Sequence, residues 1–174
     1  MRFALSPLLC IVALLALAVP AVAAEGGDPT ARPTVADFSL ETLSGKRVKL
    51  ADYKDKVVLV SFWATWCKPC KQELPFLDAF AKKYADQGFA VLAINTDGPR
   101  TMAEVRRFVK RKKLKIPQLL DKDGSLLQTL NPRGVMPFTL YLDRQHRIAE
   151  TADSFSAGDE VKIEAKIQKL LAEK

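Results

Sequence analysis

An α/β sandwich, a central sheet with helices on both faces, is predicted by three features of the sequence. Short apolar runs rich in β-branched residues alternate with segments of helical period along most of the chain. The run Val57-Val58-Leu59-Val60, continued by Phe62 and Trp63, shows no polar alternation, which suits a central strand covered on both sides. Cys67 and Cys70 follow that run directly, at a strand-to-helix turn. In such folds chemistry sits at the C-terminal ends of central strands.

The elements follow in order. Phe38 to Leu43 and Arg47 to Leu50 flank Ser44-Gly45 and predict a short hairpin. After the central strand, a helix is expected from the cysteine pair to about Asp86, with Leu74, Leu77, Phe80 and Ala81 facing inward and Pro75 as a kink. Gly88 stops it, and Phe89 to Ile94 reads as a second buried strand, completing a right-handed βαβ unit. Thr101 and Glu104 have capping-box spacing and open a helix through Met102, Val105, Phe108 and Val109. Pro117 to Leu120 predicts a strand and Ser125 to Leu130 a short helix. Phe138 to Leu142 and His146 to Glu150 are expected to pair around Asp143-Arg144-Gln145. Ser156 and Asp159 form a second capping box, before a helix to about Leu171 striped by Val161, Ile163, Ile167 and Leu170.

At 174 residues, 48% hydrophobic and 27% charged, the chain has room for one compact domain and is expected to be a monomer. That domain is expected from residue 37 to 174. Residues 1 to 24 read as a secretory signal peptide: Arg2 precedes an uncharged run from Phe3 to Ala24, which closes on small residues after Pro20. An uncleaved membrane anchor is the other reading, since about 20 apolar residues can cross a bilayer. Residues 25 to 36, rich in Gly, Pro and Thr, read as a linker. The chain is therefore expected to be exported and periplasmic, touching the inner membrane only through its N-terminal segment. Cys10 leaves with that segment, so Cys67 and Cys70 are the thiols of the mature chain, in a compartment where they can form a disulfide.

Without Arg2 the chain has 26 basic and 20 acidic residues, a formal charge of +6. The excess is densest from Arg106 to Lys115, where a solvated helix end favoured by the macrodipole competes with docking to an acidic surface. Phe108 is the sole aromatic residue within that run, which argues against a nucleic-acid partner.

A cysteine at a helix N-terminus meets unpaired backbone N–H groups and the positive end of the macrodipole, which favour the thiolate, the nucleophilic form. Lys68 adds a nearby charge, so the Cys67 thiol is expected below its ordinary pKa. Cys70, one turn on, is placed to resolve a mixed disulfide by attacking Cys67. A purely structural staple is disfavoured because so short a loop removes little unfolded-state entropy. A closed zinc site needs four ligands, whereas besides these two thiols the chain offers only His146. No metal or other cofactor is therefore expected.

The segment Phe62-Trp63-Ala64-Thr65-Trp66-Cys67-Lys68-Pro69-Cys70-Lys71-Gln72-Glu73-Leu74-Pro75 resembles the active-site segment of the TlpA/ResA-like thioredoxin family. The likeness runs from Asp37 to about Leu171, through Asp37-Phe38-Ser39-Leu40, the Gly134-Val135-Met136-Pro137 loop and the Leu142-Asp143 turn. It implies a thioredoxin-like fold: a central mixed sheet flanked by helices, with an N-terminal β-hairpin and a central strand–helix insert over about residues 114 to 131. It also implies an exported dithiol reductant of disulfides in extracytoplasmic proteins, such as cytochrome c apoproteins in cytochrome c maturation or copper-site proteins, with electrons from a membrane donor protein.

Three site assignments come with the resemblance. Pro137 is the expected cis-proline facing the cysteine pair, with Met136 beside Cys67 as a substrate-facing apolar residue. Glu73 corresponds to an acidic residue that manages protons for Cys70, and its i+3 spacing from Cys70 places both on one helix face; an exposed first-turn glutamate is the competing reading. Trp63 and Trp66 flank the site, with simple packing as the alternative for each. Ser61 stands where cytosolic thioredoxins carry a buried Asp, a departure that shifts the acid's task to Glu73. An oxidase or isomerase of secreted proteins and a thiol-based copper-binding module, with Met136 and the two thiols as soft ligands, are the competing functions. No Pro-x-x-x-Thr-x-x-Cys pattern ends at Cys67, which disfavours a thiol peroxidase.

Overall fold

The computed structural model describes residues 31–173; the expected signal segment and the start of the expected linker lie outside them. Among the described residues no helix is long and apolar enough to cross a membrane. The strands are β1 (Ser39–Thr42), β2 (Arg47–Lys49), β3 (Val57–Trp63), β4 (Phe89–Asn95), β5 (Gln118–Leu120), β6 (Phe138–Leu142) and β7 (Ile148–Ala152). They form one mixed sheet ordered β2-β1-β5-β4-β3-β6-β7. The helices are α1 (Lys68–Lys83), α2 (Met102–Lys112), α3 (Ser125–Leu130) and α4 (Asp159–Ala172).

β3 is parallel to β4 and antiparallel to β6, so it is buried along its whole length. Successive side chains of a strand point to opposite faces. Val57, Leu59 and Trp63 accordingly join Leu74 and Leu77 of α1, Phe108 of α2 and Ile167 of α4 in one core cluster. Val58, Val60 and Phe62 join Leu92, Ile94, Leu140 and Leu142 in the other, covered by Leu126, Leu127 and Leu130 of α3. The insert supplies β5, which pairs with β4 on one side and with β1 of the N-terminal hairpin on the other.

Several boundaries differ from the expectations. The packed chain begins before Asp37: Arg32 bridges to Asp143 and Glu173, and Val35 is buried with its amide bonded to the His146 carbonyl. α1 ends at Lys83 rather than near Asp86, followed by a 3-10 turn that Gly88 closes at φ 78°. The Thr101 capping box does not form; the Thr101 hydroxyl donates to the Gly98 carbonyl instead. Half of the Ser156 box does form, the Ser156 amide donating to Asp159 at 2.8 Å. β5 starts at Gln118 because Pro117 has no N–H to give and pairs only through its carbonyl, which accepts from Ala93. β7 starts at Ile148, since the Asp143 carboxylate captures the amides of Gln145 and Arg147 and holds the turn through His146 at φ 57°. Val161 is not in the apolar stripe of α4: it is 69% exposed, while Ile163, Ile167 and Leu170 are buried.

Candidate active site

Cys67 caps the N-terminus of α1, with Pro69 in the first turn, where a missing N–H costs nothing. The Cys70 amide donates to Cys67 Sγ at 3.3 Å, so one of the unpaired helix N–H groups is aimed at the sulfur. The two cysteines are joined as a disulfide, their Cα atoms 5.4 Å apart. Cys67 keeps 4% of its surface and Cys70 none. Trp66, immediately before the pair, is 69% exposed. Trp63 is fully buried and stacks on Phe108 with ring centres 5.2 Å apart, so it packs beneath the site and Trp66 alone of the two presents its ring to solvent.

The loop that carries Cys67 is tied down from β4. Asp97 accepts hydrogen bonds from the Thr65 amide at 2.7 Å, the Thr65 hydroxyl at 2.5 Å and the Asn95 side-chain amide at 2.7 Å. The Thr96 amide donates to the Trp63 carbonyl at 3.0 Å, and its hydroxyl lies 3.9 Å from Met136 Sδ. Sequence reasoning missed this Asn95-Thr96-Asp97 turn. Its signal was a polar run closing an otherwise apolar strand, which reads equally well as an ordinary turn.

The Met136–Pro137 peptide bond is cis. It stands at the head of β6, whose Phe138 pairs with Phe62 near the C-terminal end of β3. The loop therefore occupies the same end of the sheet as the cysteine turn, with Met136 half-buried and Pro137 buried. Asn131 secures its approach by donating to the Val135 carbonyl at 2.7 Å.

Glu73 lies inside the protein, 2% exposed. Its position follows from strand geometry: Ser61 and Thr139 are directly paired across β3 and β6, and both point to the face covered by α1. Ser61 Oγ donates to one Glu73 carboxylate oxygen at 3.2 Å and Thr139 Oγ1 to the other at 3.3 Å. Burial pushes the carboxyl up to about 7, although both hydroxyls pull it down. Glu73 also lines a cleft of about 200 Å³ together with Tyr141, Ser154 and Asp159. Thr139 was not singled out from sequence; a lone hydroxyl within the apolar strand Phe138–Leu142 was its signal, and Ser61 interrupts β3 in the same way. Among the described residues no cluster of His, Cys, Asp and Glu is arranged to hold a metal ion.

A cysteine pair on a helix N-terminus, at the end of the central strand of a mixed sheet and level with a cis-proline loop, defines a protein of thioredoxin-like architecture. The chain belongs to the AhpC/TSA family, whose model matches residues 32–158. It is 49% identical over 89 residues to the thioredoxin-like protein YneN of Bacillus subtilis strain 168, an alignment covering 51% of this chain and 52% of the relative. The chain thus spans about half the length of that relative. It is 33% identical over 131 residues to the thiol-disulfide oxidoreductase ResA of Geobacillus thermodenitrificans, covering 74% of this chain and 72% of that one. Among solved structures it resembles a secreted thiol-disulfide isomerase from Corynebacterium glutamicum, with TM-score 0.74 and 26% identity over 84% of this chain and 90% of the other.

Proposed function

We propose that this protein is an exported thiol–disulfide oxidoreductase that reduces disulfides in extracytoplasmic proteins. The observation that carries the reading is the placement of the Cys67–Cys70 disulfide on the N-terminus of α1, one turn from the buried carboxyl of Glu73. In the reduced protein the Cys67 thiolate attacks one sulfur of the substrate disulfide, and the other substrate sulfur leaves as a thiolate that takes up a proton. Cys70 then gives up its proton and attacks Cys67, which releases the second substrate thiol and leaves the protein oxidised by two electrons. Glu73 is the acceptor for the Cys70 proton: a carboxyl near 7 exchanges protons readily at neutral pH. Exposed Trp66 and the Met136-Pro137 loop form the surface on which the substrate chain lies.

The similarity to a thiol-disulfide oxidoreductase supports the chemistry, and the secreted neighbour supports export. Cytochrome c apoproteins or copper-site proteins as substrates, a membrane protein as electron donor and a periplasmic location complete the proposal. The isomerase neighbour favours one second reading, in which the same pair reshuffles or forms disulfides of secreted proteins instead of reducing them. Measuring the reduction potential of the pair against glutathione separates the two. A potential below that of glutathione is expected, and one well above it would reverse the assigned direction.

A further inference from the structure

Beside the cysteine pair, between the start of α1 and the outer face of α2, lies a cleft of about 220 Å³. Thr65, Lys71, Glu104, Arg107, Phe108 and Arg111 line it, so three cations face one carboxylate. None of the three cations is in an ion pair with a described residue. Helix electrostatics account for only part of this charge. Arg111 suits the last turn of α2, but Arg107 lies mid-helix and Lys71 in the opening turns of α1, where the macrodipole disfavours a cation. The cleft is held against the redox site: Phe108 stacks on Trp63, and the Arg111 guanidinium lies 5.8 Å from the centre of the same Phe108 ring.

We propose that this cleft docks an acidic segment of the protein whose disulfide reacts at Cys67, making the basic face of α2 a specificity surface; this rests on the thiol–disulfide reading above. Thr65 is two residues from Cys67 and Lys71 is next to Cys70, so an extended substrate chain with its cysteine at Cys67 reaches the cleft within roughly two to four residues, at ~3.3 Å each. The occupant is a polypeptide rather than a membrane because the cations line a recess. A flat lipid surface is met by protruding side chains, whereas a recess beside the pair admits Asp or Glu side chains next to a reacting cysteine. Complementary charge there speeds encounter and selects partners.

The test uses disulfide-bonded peptides that differ only in residues two to four positions from one cysteine: acidic, neutral or basic. Single-turnover reduction by the pre-reduced full chain should show a second-order rate constant about tenfold higher for the acidic than for the neutral peptide at low salt, narrowing as salt rises. Arg107→Glu/Arg111→Glu, which leaves Lys71 facing three carboxylates, should invert the preference toward the basic peptide. Arg107→Lys/Arg111→Lys should keep most of the acidic preference, which separates charge from packing on Phe108, and Arg107→Gln/Arg111→Gln serves if the reversed pair fails to fold. Equal rates for all three peptides would overturn the docking surface and leave the redox chemistry standing. No reduction of any peptide, matching Cys67→Ala, would overturn the redox reading instead. Arginine-dependent binding to phosphatidylserine vesicles without peptide preference would assign the cleft to lipid and also overturn the proposal.

Discussion

Ser61 and Glu73 are hydrogen-bonded at 3.2 Å, a link from the middle of β3 to the helix that carries the cysteines. It exists because Ser61 falls on the α1 face of its strand and Glu73 on the inner face of α1. An apolar residue at Ser61 would leave the carboxyl with Thr139 alone. An acid at Ser61 would set two carboxyls against each other in a buried space. A small hydroxyl on the strand and an acid on the helix let one ionisable group be buried one turn after Cys70 with both its oxygens satisfied.

The first prediction concerns stability against pH. The folded value of Glu73, about 7, lies above its ordinary 4.5, so the folded state holds the proton more tightly. Its contribution is therefore fully favourable below about pH 4.5, declines as pH rises through 7, and is constant above that. The full loss corresponds to roughly 3 kcal/mol. Denaturant unfolding of the oxidised protein between pH 5 and 8 should show most of this decline, and Glu73→Gln should remove it. Parallel curves for the two proteins would place the carboxyl in contact with water.

The second prediction uses the reduced protein. A carboxylate one turn from Cys70 disfavours a second negative charge there, and the groups titrate as a coupled set. Glu73→Gln should lower the pH at which cysteine thiolate absorbance appears and alter the pH profile of peptide reduction. Superimposable titrations would leave Glu73 as a packing residue and exclude it from proton transfer.

The third prediction separates the thiols. Cys67→Ala should abolish disulfide reduction with little change in melting temperature, because the side chain removed is small. Cys70→Ala should accumulate a mixed disulfide through Cys67, visible by mass as a protein–substrate adduct that dithiothreitol releases. An adduct through Cys70 in Cys67→Ala, formed at a comparable rate, would reverse the two roles.

Much of the architecture is legible in the sequence because β3 and β4 are buried on both faces, and such strands appear as unbroken apolar runs. Each cysteine could be placed from its distance to the end of β3. The errors have local causes. Thr101 has the residue type of a helix cap but spends its hydroxyl on Gly98, inside a 3-10 turn that propensity does not announce. Val161 is two residues from Ile163, about 200° round the helix at 3.6 residues per turn, so it falls on the face opposite the buried stripe. The burial of Glu73 could not be read from spacing alone, since i+3 from Cys70 fixes its helix face and says nothing of what that face meets. The partners are Ser61 and Thr139, 12 and 66 residues away in sequence, and only the β3–β6 register brings them together.

The last prediction tests the turn that sequence reasoning missed. Asp97 is 3% exposed, and its carboxylate satisfies the Thr65 amide and hydroxyl together with the Asn95 side chain. Thr65 is two residues before Cys67, so these bonds fix the entry of the cysteine turn. Asp97→Ala strands a part-buried backbone N–H and the Asn95 amide, each left-over donor costing about 1–3 kcal/mol. Asp97→Asn keeps an acceptor for the Thr65 amide but turns a second position into a donor, so it should lose less. The expected result is a lower melting temperature for Asp97→Ala, faster hydrogen exchange at Thr65 to Cys67, and a fall in kcat/KM of about tenfold, corresponding to ~1.4 kcal/mol of lost positioning. Faster exchange confined to α2, with the cysteine turn as protected as before, would show that Asp97 supports only the turn after β4.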